Sequence, residues 1–252
     1  MAAQSVSVVM AVRNGGALLR EAIASVHAQT YPAAEIIVVD GSSVDDTVSI
    51  ALAAGARVVQ QRGATLANAY NTGIEEATGS HIAFLSYDDL WWPNKTELQL
   101  ALLAATPSAA AAIGVAEFVL LDGNAPRGLR RELLNAPRRA QIAETLLAPR
   151  STFERVGPFR AEVSPADDTD WFARFADLGL QFVSPSEVIL TKRLSPASTS
   201  HSAATDRGQM LQILRDSVAR KRSNANLAEH YSEPPAVPTE TEVDGARRVF
   251  DA

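Results

Sequence analysis

An α/β fold with a mostly parallel central sheet and helices on both faces is the architecture this sequence predicts, and three observations predict it. Short apolar runs rich in valine and isoleucine recur at 6–12, 36–39, 57–60 and 82–85. Stretches with helical spacing separate them. Turn chemistry closes the strands, at Arg13-Asn14-Gly15-Gly16, Asp40-Gly41-Ser42-Ser43 and Ser86-Tyr87-Asp88-Asp89. Strands buried on both faces read as continuous apolar runs, and the intervening helices carry the chain back for parallel pairing.

Each element follows in order. The first strand spans 6–12. Leu18, Leu19, Ala22, Ile23 and Val26 then share one helical face, and Thr30-Tyr31-Pro32 breaks that helix. The second strand, 36–39, ends at Asp40. Asp45 and Asp46 start a helix running to about Ala54, with Gly55 suited to the C′ position. A third strand covers 57–60, and a helix over 65–77 is ended by Gly79. The fourth strand, 82–85, leads to Asp88 and Asp89. Asn94 and Glu97 have capping-box spacing for a helix over 95–105.

Beyond this point the pattern loosens. Residues 109–121 read as a long or paired strand, and 123–138, with four arginines, as a loop. Residues 139–148 and the stretch up to Val156-Gly157-Pro158 read as helical, 167–178 as a further helix and 188–194 as a strand. A helix over 206–222 carries Met210, Leu211, Leu214 and Val218 on one apolar face, which is expected to pack on the domain or on a second copy of the chain as a homodimer. The composition after Ser232 predicts a mobile tail.

Composition narrows the function. Of 252 residues, 46% are apolar, enough for a sizeable core. The absence of cysteine excludes disulfides, thiolate metal sites and cysteine nucleophiles. Lys and Arg number 23 against 29 Asp and Glu, so no broad nucleic-acid surface is expected. No run reaches the length of a membrane span, and the first apolar stretch lacks the basic flank of a signal peptide. A cytoplasmic protein is the expectation.

The chemistry concentrates in acids. Ligands on parallel sheets bind beyond the carboxyl ends of the strands, so Asp40, Asp88 and Asp89 are expected to face one crevice. Close carboxylates repel unless a cation intervenes, and oxygen ligands suit Mg2+ or Mn2+. Capping of the following turn is the plainer alternative. Asp167, Asp168 and Asp170 open a helix bearing Trp171, where they serve as dipole partners or supply a general base. No Walker A loop, no G-x-G-x-x-G, no G-x-S-x-G and no H-x-x-x-H occurs.

The order of these motifs resembles family-2 glycosyltransferases of the GT-A fold. The resemblance covers about 1–200. It rests on the 6–15 opening, Glu35-Ile-Ile-Val-Val-Asp40, Asn71-Thr-Gly-Ile74, Ile82-Ala-Phe-Leu-Ser-Tyr-Asp-Asp-Leu-Trp-Trp-Pro93, Val156-Gly-Pro-Phe159, Asp167-Asp-Thr-Asp-Trp-Phe-Ala-Arg174 and Arg193. It implies a Rossmann-like sheet with an acceptor-side subregion: a nucleotide-sugar half over 1–122, an acceptor half over 123–204, a helical extension over 205–231 and the tail over 232–252. It also implies inverting transfer from a nucleotide-diphosphate sugar, UDP-linked by preference, to a soluble peptide, saccharide or small-molecule acceptor. Ala11, Arg13, Asp40, Gly41, Asn71, Ser86, Tyr87 and Asp88 would bind the donor. Asp88 would hold Mn2+ or Mg2+ with support from Asp89, and Asp168 would be the general base. Asp167, Asp170, Trp171 and Arg193 would lie on the acceptor side.

Three positions depart from the family's pattern. Ser86 stands where the family has the first aspartate of its D-x-D segment. Gly41 stands for the second aspartate of the base loop, and Ser195 for the closing histidine. Ser86 can hydrogen-bond a hydroxyl but carries no charge. These departures motivate the alternative of a catalytically weak or inactive nucleotide-sugar-binding protein that partners another transferase. A nucleotidyltransferase is disfavoured, because Arg13-Asn14-Gly15-Gly16 has too few glycines and a single cation for its phosphate loop.

Overall fold

Strand β1 (Val6–Val12) alternates its side chains between two apolar layers, as a fully buried strand must. A computed structural model describes residues 4–126, 129–196 and 207–232, with the backbone alone for 207 and 224–232. Val8, Met10 and Val12 join one core cluster, and Val9 joins the other. Parallel neighbours flank β1: β2 (Glu35–Asp40) on one side and β4 (His81–Phe84) on the other. β3 (Arg57–Gln60) pairs parallel to β2.

Helices cover both faces, as expected. α1 (Gly16–His27), α2 (Thr47–Ala53) and α4 (Lys95–Ala105) contribute Leu19, Ile23, Ile50 and Leu100 to the first layer. α3 (Leu66–Glu76), α5 (Arg150–Val156) and α6 (Asp167–Asp177) contribute Tyr70, Phe153, Trp171 and Phe175 to the second. Gly73 lets α3 lie directly on the sheet. A Cβ there would fall 2.2 Å from Val9 Cγ1.

The predicted paired strand is β6 (Ala109–Ala112) and β7 (Gly114–Leu120). Residues 139–148 are not helical, contrary to expectation. They form β8 (Arg138–Ala140), a 3-10 turn (Ala143–Thr145) and β9 (Leu147–Pro149). The run Leu146-Leu147-Ala148 is wholly buried, and a short apolar run takes whichever state the surrounding sheet offers. Here β9 inserts antiparallel between β4 and β6. With β10 (Gln181–Val183), not predicted, the seven-stranded order is β10-β6-β9-β4-β1-β2-β3. A four-stranded sheet, β5-β11-β7-β8, is built on β11 (Val188–Leu194) and an unpredicted two-residue strand, β5 (Leu90–Trp91).

The expected capping box at Asn94 and Glu97 does not form. Glu97 instead accepts from Thr30 Oγ1 at 2.6 Å. A capping box does form at Thr65 and Asn68. Gly55 adopts φ +78° after α2, as its C′ position requires.

The chain divides after Leu214 into two compact units. In the first unit, Ile213 packs on Val163 and Ala166, whereas Met210, Leu211 and Leu214 are exposed. The apolar face read from the sequence is therefore not the one that packs within the first unit. The second unit is helical over 215–232, the end of α7 (Arg207–Ser232). The tail expected after Ser232 lies outside the described residues. No helix among the described residues is long and apolar enough to cross a membrane.

Candidate active site

The loops beyond β1, β2 and β4 meet at the carboxyl edge of the large sheet. Gly41 N donates to Val12 O at 2.8 Å, and Asn14 N donates to Ser43 Oγ at 2.9 Å. Gly15 N donates to Thr47 Oγ1 at 2.8 Å. Asn14 and Ser42 both take positive φ, 54° and 63°, to make these bends. Gly41 lies against Arg13: a Cβ on it would stand 3.4 Å from Arg13 Cβ. Tyr87 reaches the same corner, with Cδ2 3.3 Å from where a Gly15 Cβ would be. Ala11, one residue before the end of β1, is half-buried. Asp40 holds its own loop, accepting from Ser43 N on both oxygens at 3.2 Å.

A buried ionic network ties the Ser86–Asp89 turn to β11. Asp89 Oδ1 accepts from Arg193 N at 2.9 Å, and Oδ2 from Lys192 Nζ at 2.7 Å. Lys192 also donates to Glu144 Oε1 at 2.9 Å, and Ser86 Oγ donates to the same oxygen at 2.6 Å. Buried charges persist only when paired in this way. Burial alone would lower the Lys192 ammonium, but Asp89, Glu144 and Asp88 override it and hold it above its ordinary range. Burial likewise pushes Glu144 up, while Lys192 and Ser86 win and bring it down.

Asp88 differs from Asp89. It is half-buried, and its carboxyl is raised by desolvation and by Glu144, with Lys192 pulling back through space. Arg193 Nε donates to Asp88 O, and its Nη1 pairs with Glu21 at 2.5 Å. Arg193 Nη2 is buried with no hydrogen-bond partner among the described residues.

At the start of α6, Asp168 is half-buried and accepts from Thr169 N at 2.6 Å. Desolvation, then Glu144 and Asp167, push its carboxyl up to about 7. Asp167 is raised by desolvation to about 6, and its Oδ2 is buried without a partner among the described residues. Glu144 acts on Asp88, Asp167 and Asp168 alike, which puts the two acidic segments in one electrostatic neighbourhood.

Two expectations need correction. Asp170 is wholly buried and held by Arg160 at 2.6 Å and Arg174 at 2.8 Å, so it braces α6 and does not face an acceptor. Trp171 is core: its ring packs among Phe153, Phe159 and Phe175, and Nε1 donates to Gly157 O at 3.2 Å. Asn71 clamps Phe159, donating to its O at 2.8 Å and accepting from its N at 2.9 Å, and keeps a second N–H on a half-buried side chain. Arg193 is tied to the Asp88 turn through the Asp88 carbonyl. Sequence reasoning missed Glu144 and Lys192. Lys192 and Arg193 on a strand that starts and ends apolar are the signal that could have pointed to buried acidic partners.

This sheet, with the acidic turn after its fourth strand, defines a GT-A glycosyltransferase. The Glycosyl transferase family 2 profile matches residues 7–162, more than half of the chain, and the protein belongs to that family. An uncharacterized glycosyltransferase of Rickettsia prowazekii is 30% identical over 214 residues, which are 79% of this chain and 66% of that protein. The chain therefore spans just under two thirds of that relative's length. TarS 1–349 of S. aureus, in complex with UDP-GlcNAc, superposes with a TM-score of 0.68 at 15% identity, over 86% of this chain and 66% of that one. The mannosyltransferase PcManGT of Pyrobaculum calidifontis, in complex with GDP-Man and Mn2+, gives 0.64 at 21% identity, over 86% and 65%. At these identities the likeness is one of fold.

Proposed function

We propose that the protein transfers a sugar, with inversion, from a nucleotide-diphosphate donor to an acceptor hydroxyl, with Asp168 as general base. What carries the reading is the half-buried Asp88 in the turn beyond β4, in a chain that belongs to glycosyl transferase family 2. Ala11, Arg13, Gly41 and Tyr87 line the corner where the nucleoside would lie. The UDP-GlcNAc and GDP-Man complexes of TarS and PcManGT support a nucleotide-sugar donor, UDP-linked by preference.

Among the described residues, no group of three or more His, Asp or Glu side chains could hold a metal ion. Lys192 engages Asp89 and Glu144, so Asp88 is the carboxylate available for one. A divalent cation bound chiefly by the donor's diphosphate needs only one or two carboxylates, and the residues fit that arrangement. Mn2+ or Mg2+ held through Asp88 would neutralise charge on the leaving diphosphate.

Asp168 takes the acceptor proton as the acceptor oxygen bonds to the anomeric carbon. The bond to the diphosphate breaks on the opposite face, which inverts the centre. A carboxyl near pH 7 is matched to that task at neutral pH. The acceptor we propose is a peptide, saccharide or small molecule free in solution.

Calorimetric titration of UDP, GDP and dTDP, with and without Mn2+, tests the donor site. Tight binding of one nucleotide, lost in Asp88→Ala, is expected. No binding of any of the three would sink the reading.

A further inference from the structure

Glu144 lies on a 3-10 turn far from the donor loops in sequence, yet it is bonded to the side chain that ends β4. Its Oε1 takes the Ser86 hydroxyl proton at 2.6 Å and a Lys192 proton at 2.9 Å. Glu144 is buried, and Ser86 is half-buried. A serine hydroxyl has one proton and two lone pairs. With the proton committed to Glu144, Ser86 can offer the crevice only its lone pairs, polarised by the carboxylate behind them. That is the acceptor-only character of an aspartate, at a position where the chain has none.

Lys192 accounts for one of the two bonds at Glu144 Oε1, and Asp89 shares that ammonium at 2.7 Å. The other bond goes to Ser86.

We propose that Ser86 and Glu144 form one acceptor unit of the donor site. Ser86 receives a hydroxyl of the bound nucleoside diphosphate. Glu144 is a positioning residue that fixes the direction of the Ser86 hydroxyl and supplies the negative charge. The inference rests on the nucleotide-sugar reading above.

A double-mutant cycle read by calorimetry tests it, using whichever of UDP, GDP and dTDP the wild type binds most tightly, with thermal melts confirming the fold of each variant. S86A and E144Q are each expected to weaken binding about tenfold, the loss of one charge-assisted hydrogen bond. The double variant S86A/E144Q is expected to be no weaker than either. S86D should also weaken binding, because two carboxylates then compete at one place, and S86D/E144Q should restore it. E144Q weakening binding by the same factor with and without S86A would overturn the inference and leave Glu144 a brace for Lys192. If E144Q does not fold, S86D decides: unimpaired binding overturns the inference. A wild type that binds none of the three nucleotides defeats the donor-site reading and this inference with it. An additive cycle on a tight-binding wild type defeats this inference alone.

Discussion

Asp89 and Lys192 are 103 residues apart in sequence and meet at 2.7 Å, both buried. The contact joins the acidic turn after β4 to the long strand of the second sheet. Removing the cation leaves Asp89 and Glu144 buried without a counter-charge. Lys192→Met is expected to cost about 3 kcal/mol or more in urea denaturation at neutral pH. The sign of the pH effect follows from Glu144, whose carboxyl is lowered on folding. Its contribution is present above the unfolded value of 4.5 and is lost as the pH falls through the folded one. The penalty of Lys192→Met should therefore shrink in acid. An equal penalty at all pH values would contradict the ion-pair account.

Asp168 carries the opposite sign. Its carboxyl rises from 3.8 to about 7 on folding, so the folded state binds the extra proton between those values. Stability from this group is lost as the pH rises through that window. Asp168→Asn removes the desolvated charge. It should raise Tm relative to wild type above pH 7, abolish transfer and leave nucleotide affinity intact. In the wild type, the transfer rate should climb with pH through about 7 and then level off. A flat rate profile from pH 5 to 9 would exclude Asp168 as the base.

Asn71 is a structural clamp. Asn71→Ala leaves the buried Phe159 with an unpaired N–H and C=O, at a cost of about 1–3 kcal/mol. Nucleotide titration of the same variant should match wild type. A loss of affinity without a loss of stability would return Asn71 to the donor site.

Gly73 has no room for a methyl group, because Val9 Cγ1 would stand 2.2 Å away. Gly73→Ala should destabilise by about 1–3 kcal/mol as α3 is forced off β1. Adding Val9→Ala should recover part of that loss, and chemical denaturation of the three variants checks it.

The β/α units were legible because β1, β2 and β4 are apolar on both faces and their turns carry Gly, Asn and Asp. The acids of the site were legible for the same reason, since strand ends on a parallel sheet gather at one edge. The roles within an acidic run were not. Asp168 and Asp170 are two residues apart on a helix, so they point to opposite sides. One stays half-exposed, and the other sinks against Arg160 and Arg174. Glu144 was illegible because Ala143, Leu146 and Leu147 around it repeat with helical spacing. Only the vacant slot between β4 and β6 turns that stretch into a strand.

That slot has a consequence for how the protein can be taken apart. β9 stands between β4 and β6, and the counter-charge for Asp89 arrives with β11. A ribosome that has released only the first half of the chain has therefore made a sheet with a gap in it and an acid with no cation. Residues 1–122 are therefore not expected to hold together when expressed alone or when grafted between relatives by a cut near Asp122. A swap that preserves the site has to carry Glu144 and Lys192 along with the loops they complete.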